Sequence, residues 1–297
     1  MRTLAIVAIT TALASAEIPI SPGAELTLVS DGFKFTEGPA TDRHGDVYFT
    51  DQPNDRILKW TAATGEIDTF LEPSGRANGM DFDPDGFLIT CADENGLLQR
   101  VDVATGERTT LVEAFAGGLL NGPNDVWVRP DGGMYFTDPF YKRTYWQDRD
   151  EPDQEKERVY FLPKGADKPV IVEEAFKKPN GIIGTPDGKR LYIADIGDGK
   201  TWQYRINEDG SLADRELFCE LGSDGMTLDS AGNVYLTGKG VTVFDKDGRK
   251  LGNIEVPRSW TANITFAGPD RNLLFITAMD AVFTLEMAVT AAGHPQS

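Results

Sequence analysis

Apolar residues in this chain gather in short β-branched or aromatic runs. They are Val47-Tyr48-Phe49-Thr50, Leu88-Ile89-Thr90, Met134-Tyr135-Phe136-Thr137, Leu191-Tyr192-Ile193, Val234-Tyr235-Leu236-Thr237 and Leu274-Phe275-Ile276-Thr277. Three of them follow the turn sequences Pro84-Asp85-Gly86, Pro130-Asp131-Gly132 and Pro186-Asp187-Gly188, in which Pro presets φ and Gly supplies a positive one. Short strands punctuated by regular turns predict an all-β protein. Equivalent positions 48, 89, 135, 192, 235 and 275 are spaced by 41, 46, 57, 43 and 40 residues. A period of roughly 40–50 residues, with one four-stranded sheet per repeat, predicts the blades of a β-propeller.

A polar register runs through the same repeat. Glu37, Asn78, Asn124, Asn180 and Asp224 each stand eight residues before a glycine (Gly45, Gly86, Gly132, Gly188, Gly232), and Asn263 stands eight before Arg271. Six equivalent positions predict a six-bladed β-propeller with a central polar channel. Each blade's innermost strand then starts at one mouth of the channel and reaches its turn at the other. A β-sandwich or barrel would not explain a polar residue recurring in all six copies. Leu26-Thr27-Leu28-Val29 and Val282-Phe283-Thr284-Leu285 flank the repeats, and either could complete a shared blade and so remove an open sheet edge. The spacing of 57 places an insertion between the third and fourth copies, over Lys142 to Arg158, read as an exposed charged loop.

Composition narrows the classes. Met1-Arg2, an apolar run from Thr3 to Leu13 and Ala14-Ser15-Ala16 read as a cleaved secretory leader over residues 1–16, with a single propeller domain over 17–297. An exported, periplasmic or extracellular location is therefore expected, because eleven apolar residues fall short of the roughly 20 that span a bilayer. With 47 acidic against 29 basic residues the net charge is −18, which argues against nucleic acid and anionic membrane surfaces as partners. His44 and His294 are the only histidines, one in a turn and one in a polar tail, so Ser-His-Asp hydrolysis and a His-rich zinc site are poorly supported. Cys91 and Cys219 fall on strands of different blades, too far apart for the Cα separation of about 7 Å that a disulfide tolerates, and are expected as buried free thiols.

Two carboxylates and four carboxamides converging on one mouth describe a site for a hard divalent cation. Ca²⁺, which takes about six to eight oxygens in flexible geometry, suits them better than Mg²⁺. The plainer alternative is a wet channel whose side chains hold trapped water. Asp51, Asp138 and Asp195 follow Glu37, Asn124 and Asn180 by 14, 14 and 15 residues, which returns them to the same mouth. Each is either chemistry or a cap on nearby backbone. Asp138 stands out because Pro139-Phe140-Tyr141 follows it as a prospective aromatic wall, and Asp125 is a further candidate beside Asn124.

Thr36-Glu37-Gly38-Pro39, Asn121-Gly122-Pro123-Asn124-Asp125-Val126 with Tyr135-Phe136-Thr137-Asp138-Pro139, Pro179-Asn180-Gly181 and Asp224-Gly225-Met226 together resemble the gluconolactonase and senescence-marker-protein (regucalcin) family, over about Glu25 to Met287. Squid-type diisopropyl-fluorophosphatases and bacterial lactonases share the plan. The resemblance implies a six-bladed propeller with a catalytic divalent metal, most often Ca²⁺, at the channel mouth. It implies Glu37, Asn180 and Asp224 as ligands, with Asn124 ligating the metal or contacting substrate. Regucalcin-like members carry Arg two residues before that Asn, where this chain has Gly122, and Arg76, two before Asn78, is the substitute expected. The expected function is opening of a gluconolactone-type sugar lactone to its aldonic acid. Asp224 or Asp138 is then the general base, and Asn78, Asn124 and Arg76 hold substrate. Phosphotriesterase-like hydrolysis at the same metal, or a non-catalytic calcium-binding propeller, are the alternatives.

Overall fold

The computed structural model describes residues 17–146 and 149–293. The leader expected over 1–16 and His294 lie outside them. The described chain forms six four-stranded antiparallel sheets. In five of them the strands follow chain order from the inside outwards. They are β2 to β5 (Thr36–Thr41, Val47–Asp51, Arg56–Trp60, Ile67–Leu71), β6 to β9 (Ala77–Phe82, Leu88–Ala92, Leu97–Val101, Arg108–Val112) and β10 to β13 (Val126–Val128, Met134–Asp138, Arg158–Leu162, Val170–Glu173). The next two are β14 to β17 (Pro179–Gly184, Arg190–Asp195, Lys200–Ile206, Leu212–Cys219) and β18 to β21 (Met226–Leu228, Val234–Gly238, Gly240–Phe244, Lys250–Ile254).

The sixth sheet joins the ends of the chain. Its inner strands β22 to β24 (Asn263–Ala267, Leu273–Ala278, Ala281–Glu286) take the N-terminal β1 (Thr27–Asp31) as their outermost member, with Thr27 opposite Thr284. The innermost strands touch in sequence, and β22 packs against β2, so the ring is closed. Closure by the two flanking runs is the arrangement expected from the sequence.

The uninterrupted apolar runs follow from burial on both faces. Along β3, Val47 and Phe49 pack against Phe275 and Val282 of the sixth blade. Tyr48, pointing the other way, packs against Met80 and Leu88 of the second. The middle strands thus fill two blade interfaces at once, so strict apolar–polar alternation is lost there. Among the described residues no helix is long and apolar enough to cross a membrane.

A glycine follows the polar ring residue in four blades, and it sets how closely the innermost strands approach. A Cβ on Gly38 would lie 1.9 Å from the Asn78 carbonyl oxygen, and one on Gly181 would lie 2.7 Å from that of Asp224. Gly79 N–H donates to the Asn124 carbonyl at 2.7 Å in the same manner. Strand starts without side chains at this position let each ring residue sit beside the next.

Candidate active site

Five ring residues, Glu37, Asn78, Asn124, Asn180 and Asp224, line one cavity of about 260 Å³ at the channel mouth. Phe35, Gln52, Tyr141, Arg143, Ile196 and Trp260 complete its wall. Asn263, the sixth, lines instead a larger cavity of about 530 Å³ that opens at the turn end of the channel. Its Nδ2 donates to Glu37 Oε2 at 3.0 Å and its Oδ1 accepts the Ile264 N–H at 2.8 Å, so this amide supports Glu37 from behind. Asp125 faces the turn-end cavity too, with Oδ1 on its own Val126 N–H, and burial pushes its pKa up to about 8.

Asp224 is held on both oxygens. Trp260 Nε1 donates to Oδ2 at 2.6 Å and Asn180 Nδ2 to Oδ1 at 2.8 Å. A carboxylate only accepts, so the amide nitrogen of Asn180 must face it. Asn180 Nδ2 also donates to the Tyr141 hydroxyl at 3.1 Å, and Asn180 Oδ1 is left buried without a partner. Asn78 Oδ1 is orphaned in the same way. Glu37 is 4 % exposed, and both its contacts, from Asn263 and from the Gly38 N–H, fall on Oε2.

The electrostatics ask for a cation. Burial, then the charges of Asp224 and Asp125, raise the pKa of Glu37 well above the carboxylate range. Burial also raises Asp224, against the hydrogen bonds from Trp260 and Asn180. A buried carboxylate beside a half-buried one is costly unless a positive charge joins them, and buried amide oxygens without donors carry a further cost. Among the described residues no three His, Cys, Asp or Glu side chains gather in a metal-ligating group. The donor set is thus two carboxylates with amide oxygens, a hard-oxygen set that fits Ca²⁺ better than a transition metal. Glu37, Asn180 and Asp224 would hold the ion, with Asn124 beside them.

The strand-end aspartates are caps. Asp138 is wholly buried and absent from the cavity wall, and its two oxygens accept the N–H groups of Asn121 and Gly122 at 3.0 and 2.8 Å. Asp195 takes Lys177 and Lys178 N–H on its two oxygens in the same way, and Asp51 takes Lys34 and Phe35 N–H on Oδ1 alone. Asp138, expected as a candidate base, lies off the cavity wall, where its carboxylate pins the loop entering β10. Arg76 is also displaced from its expected place. Its backbone φ is 53°, its Nη1 donates to the carbonyls of Gln52 and Pro53, and its guanidinium lies 4.3 Å over the Tyr145 ring.

The guanidinium that does line the cavity is Arg143, from the segment between β11 and β12. That segment is a largely exposed loop, as expected, anchored by the buried Gln154, whose Nε2 donates to the carbonyls of Phe115 and Leu119. Arg143 Nε donates to Asp93 Oδ2 at 2.6 Å, and the same oxygen accepts from the Tyr145 hydroxyl and from Gln52 Nε2. Asp93 stands 15 residues after Asn78 and so continues the capping series by position, a signal present in the spacing. Trp260, in the loop between β21 and β22, has no counterpart in the repeat.

The SMP-30/Gluconolactonase/LRE-like region family matches residues 35–280. A gluconolactonase of Zymomonas mobilis is 29 % identical over 283 residues, covering 85 % of this chain and 78 % of its own. A solved gluconolactonase of Xanthomonas campestris superposes with a TM-score of 0.83 at 29 % identity, over 92 % of this chain and 91 % of that one. The calcium-binding protein regucalcin of Agrobacterium tumefaciens superposes with a TM-score of 0.76 at 20 % identity, over 92 % and 97 % of the two chains, a likeness of fold. With the closed six-bladed ring and the oxygen-rich mouth, these matches establish that the chain belongs to the SMP-30/gluconolactonase/LRE-like family.

Proposed function

We propose that this protein hydrolyses a sugar lactone of the gluconolactone kind to its aldonic acid, in the mouth cavity and with a divalent cation, Ca²⁺ by ligand type. The observation that carries the proposal is the pairing of the buried Glu37 carboxylate and the half-buried Asp224 carboxylate with the unpartnered amide oxygen of Asn180. The names of the two gluconolactonase relatives support the substrate class. The chemistry such an ion supplies when bound is polarisation of the lactone carbonyl and stabilisation of the negative charge that develops on its oxygen.

Asp224 acts as the general base in this proposal. Trp260 and Asn180 fix its plane, and it takes a proton as the water oxygen bonds to the carbonyl carbon. The proton then passes to the ring oxygen as the ring C–O bond breaks, which leaves the open-chain acid. In this proposal Asn78 and Asn124, which line the cavity, receive substrate hydroxyls, and Tyr141, Trp260 and Phe35 form its apolar side. Arg76 is given no part, because it is absent from the cavity wall and its Nη1 already serves backbone carbonyls.

Parallel assays on glucono-1,5-lactone and on an organophosphate triester test the proposal. Turnover of the lactone that is lost in Asp224→Asn supports it, and turnover of the triester alone overturns it. The leader-like residues 1–16 support an exported location, which N-terminal sequencing of the mature protein from its native host would check near Glu17.

A further inference from the structure

Arg143 is the single cationic side chain on the wall of the mouth cavity among the described residues. It arises from the segment inserted between β11 and β12, which the other blades lack. Its side chain keeps 22 % of its surface exposed, whereas its partner Asp93 keeps 1 %. The buried carboxylate is therefore the anchor and the guanidinium the part that reaches outward.

The anchor is assembled from three directions. Asp93 Oδ2 accepts from Arg143 Nε at 2.6 Å, from the Tyr145 hydroxyl at 2.5 Å and from Gln52 Nε2 at 3.2 Å. On the other side of this carboxylate stands Gly122. A Cβ there would lie 2.6 Å from Asp93 Oδ1, at a φ of 154° that side chains rarely adopt. The missing side chain at Gly122 thus makes the room that Asp93 occupies. A guanidinium carries five N–H donors. The Nε–H is committed to Asp93, which leaves the four on the terminal nitrogens for the cavity, while the Tyr141 ring lies 5.3 Å from the guanidinium carbon.

Charge balance narrows what those donors meet. Glu37 and Asp224 together balance a divalent cation, and Asp93 balances Arg143. No positive charge is left over for an anionic substituent on the substrate. Paired terminal N–H groups at a neutral site match two adjacent hydroxyl oxygens. We propose, resting on the lactone hydrolysis above, that Arg143 is the specificity-determining residue of this cavity: held through Nε by the positioning residue Asp93, it selects neutral polyhydroxylated lactones by donating to vicinal hydroxyls.

The test uses the calcium-loaded protein and its Arg143→Ala, Arg143→Lys and Asp93→Asn variants. Glucono-1,5-lactone is compared with δ-valerolactone, the same ring without hydroxyls. Arg143→Ala is expected to lower kcat/KM for gluconolactone about 10- to 100-fold, mostly through KM, which is the range for losing hydrogen bonds from a charged donor. The loss of kcat/KM on δ-valerolactone should be at least about fivefold smaller, because that ring has no hydroxyls to lose and feels only the missing charge near Asp224. Arg143→Lys should recover only part of the loss, because an ammonium group lacks the planar fork. Asp93→Asn should shift the same ratio in the same direction.

Equal losses on both lactones would overturn the assignment, as would no loss on gluconolactone. If Arg143→Ala fails to fold, Arg143→Lys decides by the same ratio. A wild-type protein that turns over no lactone would defeat the lactonase proposal. The inference is then decided by binding of 1,5-anhydro-D-glucitol, a neutral ring polyol with no carbonyl. Binding that is lost in Arg143→Ala upholds the role, and binding that is absent or unchanged defeats it.

Discussion

Trp260 Nε1 donates to Asp224 Oδ2 at 2.6 Å, joining the loop before β22 to the loop that enters β18. With Asn180 on the other oxygen, the carboxylate has little freedom to rotate. A base that keeps one orientation does not spend binding energy on finding it. Trp260→Phe keeps an aromatic ring on the wall but removes the donor, together with part of the indole. Lactone turnover is expected to fall about tenfold through kcat, with a stability loss of no more than the ~1.5–3 kcal/mol that a hydrogen bond to a charged group contributes. Unchanged kcat would show that Asp224 is oriented without this bond.

Asp138 separates capping from catalysis. Replacement by Ala strips two buried backbone donors, Asn121 and Gly122, of their acceptors. The protein should lose about 2–4 kcal/mol of unfolding free energy in urea. The fraction that remains folded should still hydrolyse lactone. A variant as stable as the wild type but catalytically dead would return Asp138 to the role of base.

Gly181 tests the closeness of the inner strands. A Cβ there meets the Asp224 carbonyl oxygen at 2.7 Å and Gly225 Cα at 3.2 Å. Gly181→Ala must push β14 from the start of β18, and so separate Asn180 from Asp224. Loss of both thermal stability and turnover is expected, by about 1–3 kcal/mol for the former. A variant with wild-type melting and kcat would show that this approach is not needed.

The two thiols are buried and unpaired, as the placement of their strands led us to expect. Burial pushes the Cys219 pKa up to about 11 and raises Cys91 as well. Both therefore stay protonated at pH 8, and the thiolate is the reactive form. A disulfide-exchange reagent at pH 8 should label neither cysteine in the native protein within minutes and both in urea, where the pKa returns to about 8.5. A reducing agent should leave the melting temperature unchanged. Rapid native labelling would contradict the burial.

What the sequence made legible is what every blade repeats. The step of eight from Glu37 to Gly45, and from its counterparts to theirs, exposed the ring, because an innermost strand has the same length in each copy. The flanking runs of β1 and β24 were legible because an open edge is a liability wherever a sheet occurs. Contacts made once were not legible. Arg143 comes from an inserted segment, and Trp260 from a single loop, so no period points to either. Arg76 is close in sequence to Asn78, but its backbone takes a positive φ and its Nη1 lies on the carbonyls of Gln52 and Pro53. Asp93 kept the position of a cap and exchanged backbone partners for Arg143, Tyr145 and Gln52, a change that depends on the insertion lying across it.

The most direct measurement is hydrolysis of glucono-1,5-lactone, followed by base uptake at constant pH, on protein stripped with a chelator and then titrated with Ca²⁺. The account predicts uncatalysed background rates in the stripped protein and saturable recovery with calcium, absent in Asp224→Asn and Glu37→Gln. Full activity in the stripped protein, or calcium binding that survives both substitutions unchanged, would contradict it.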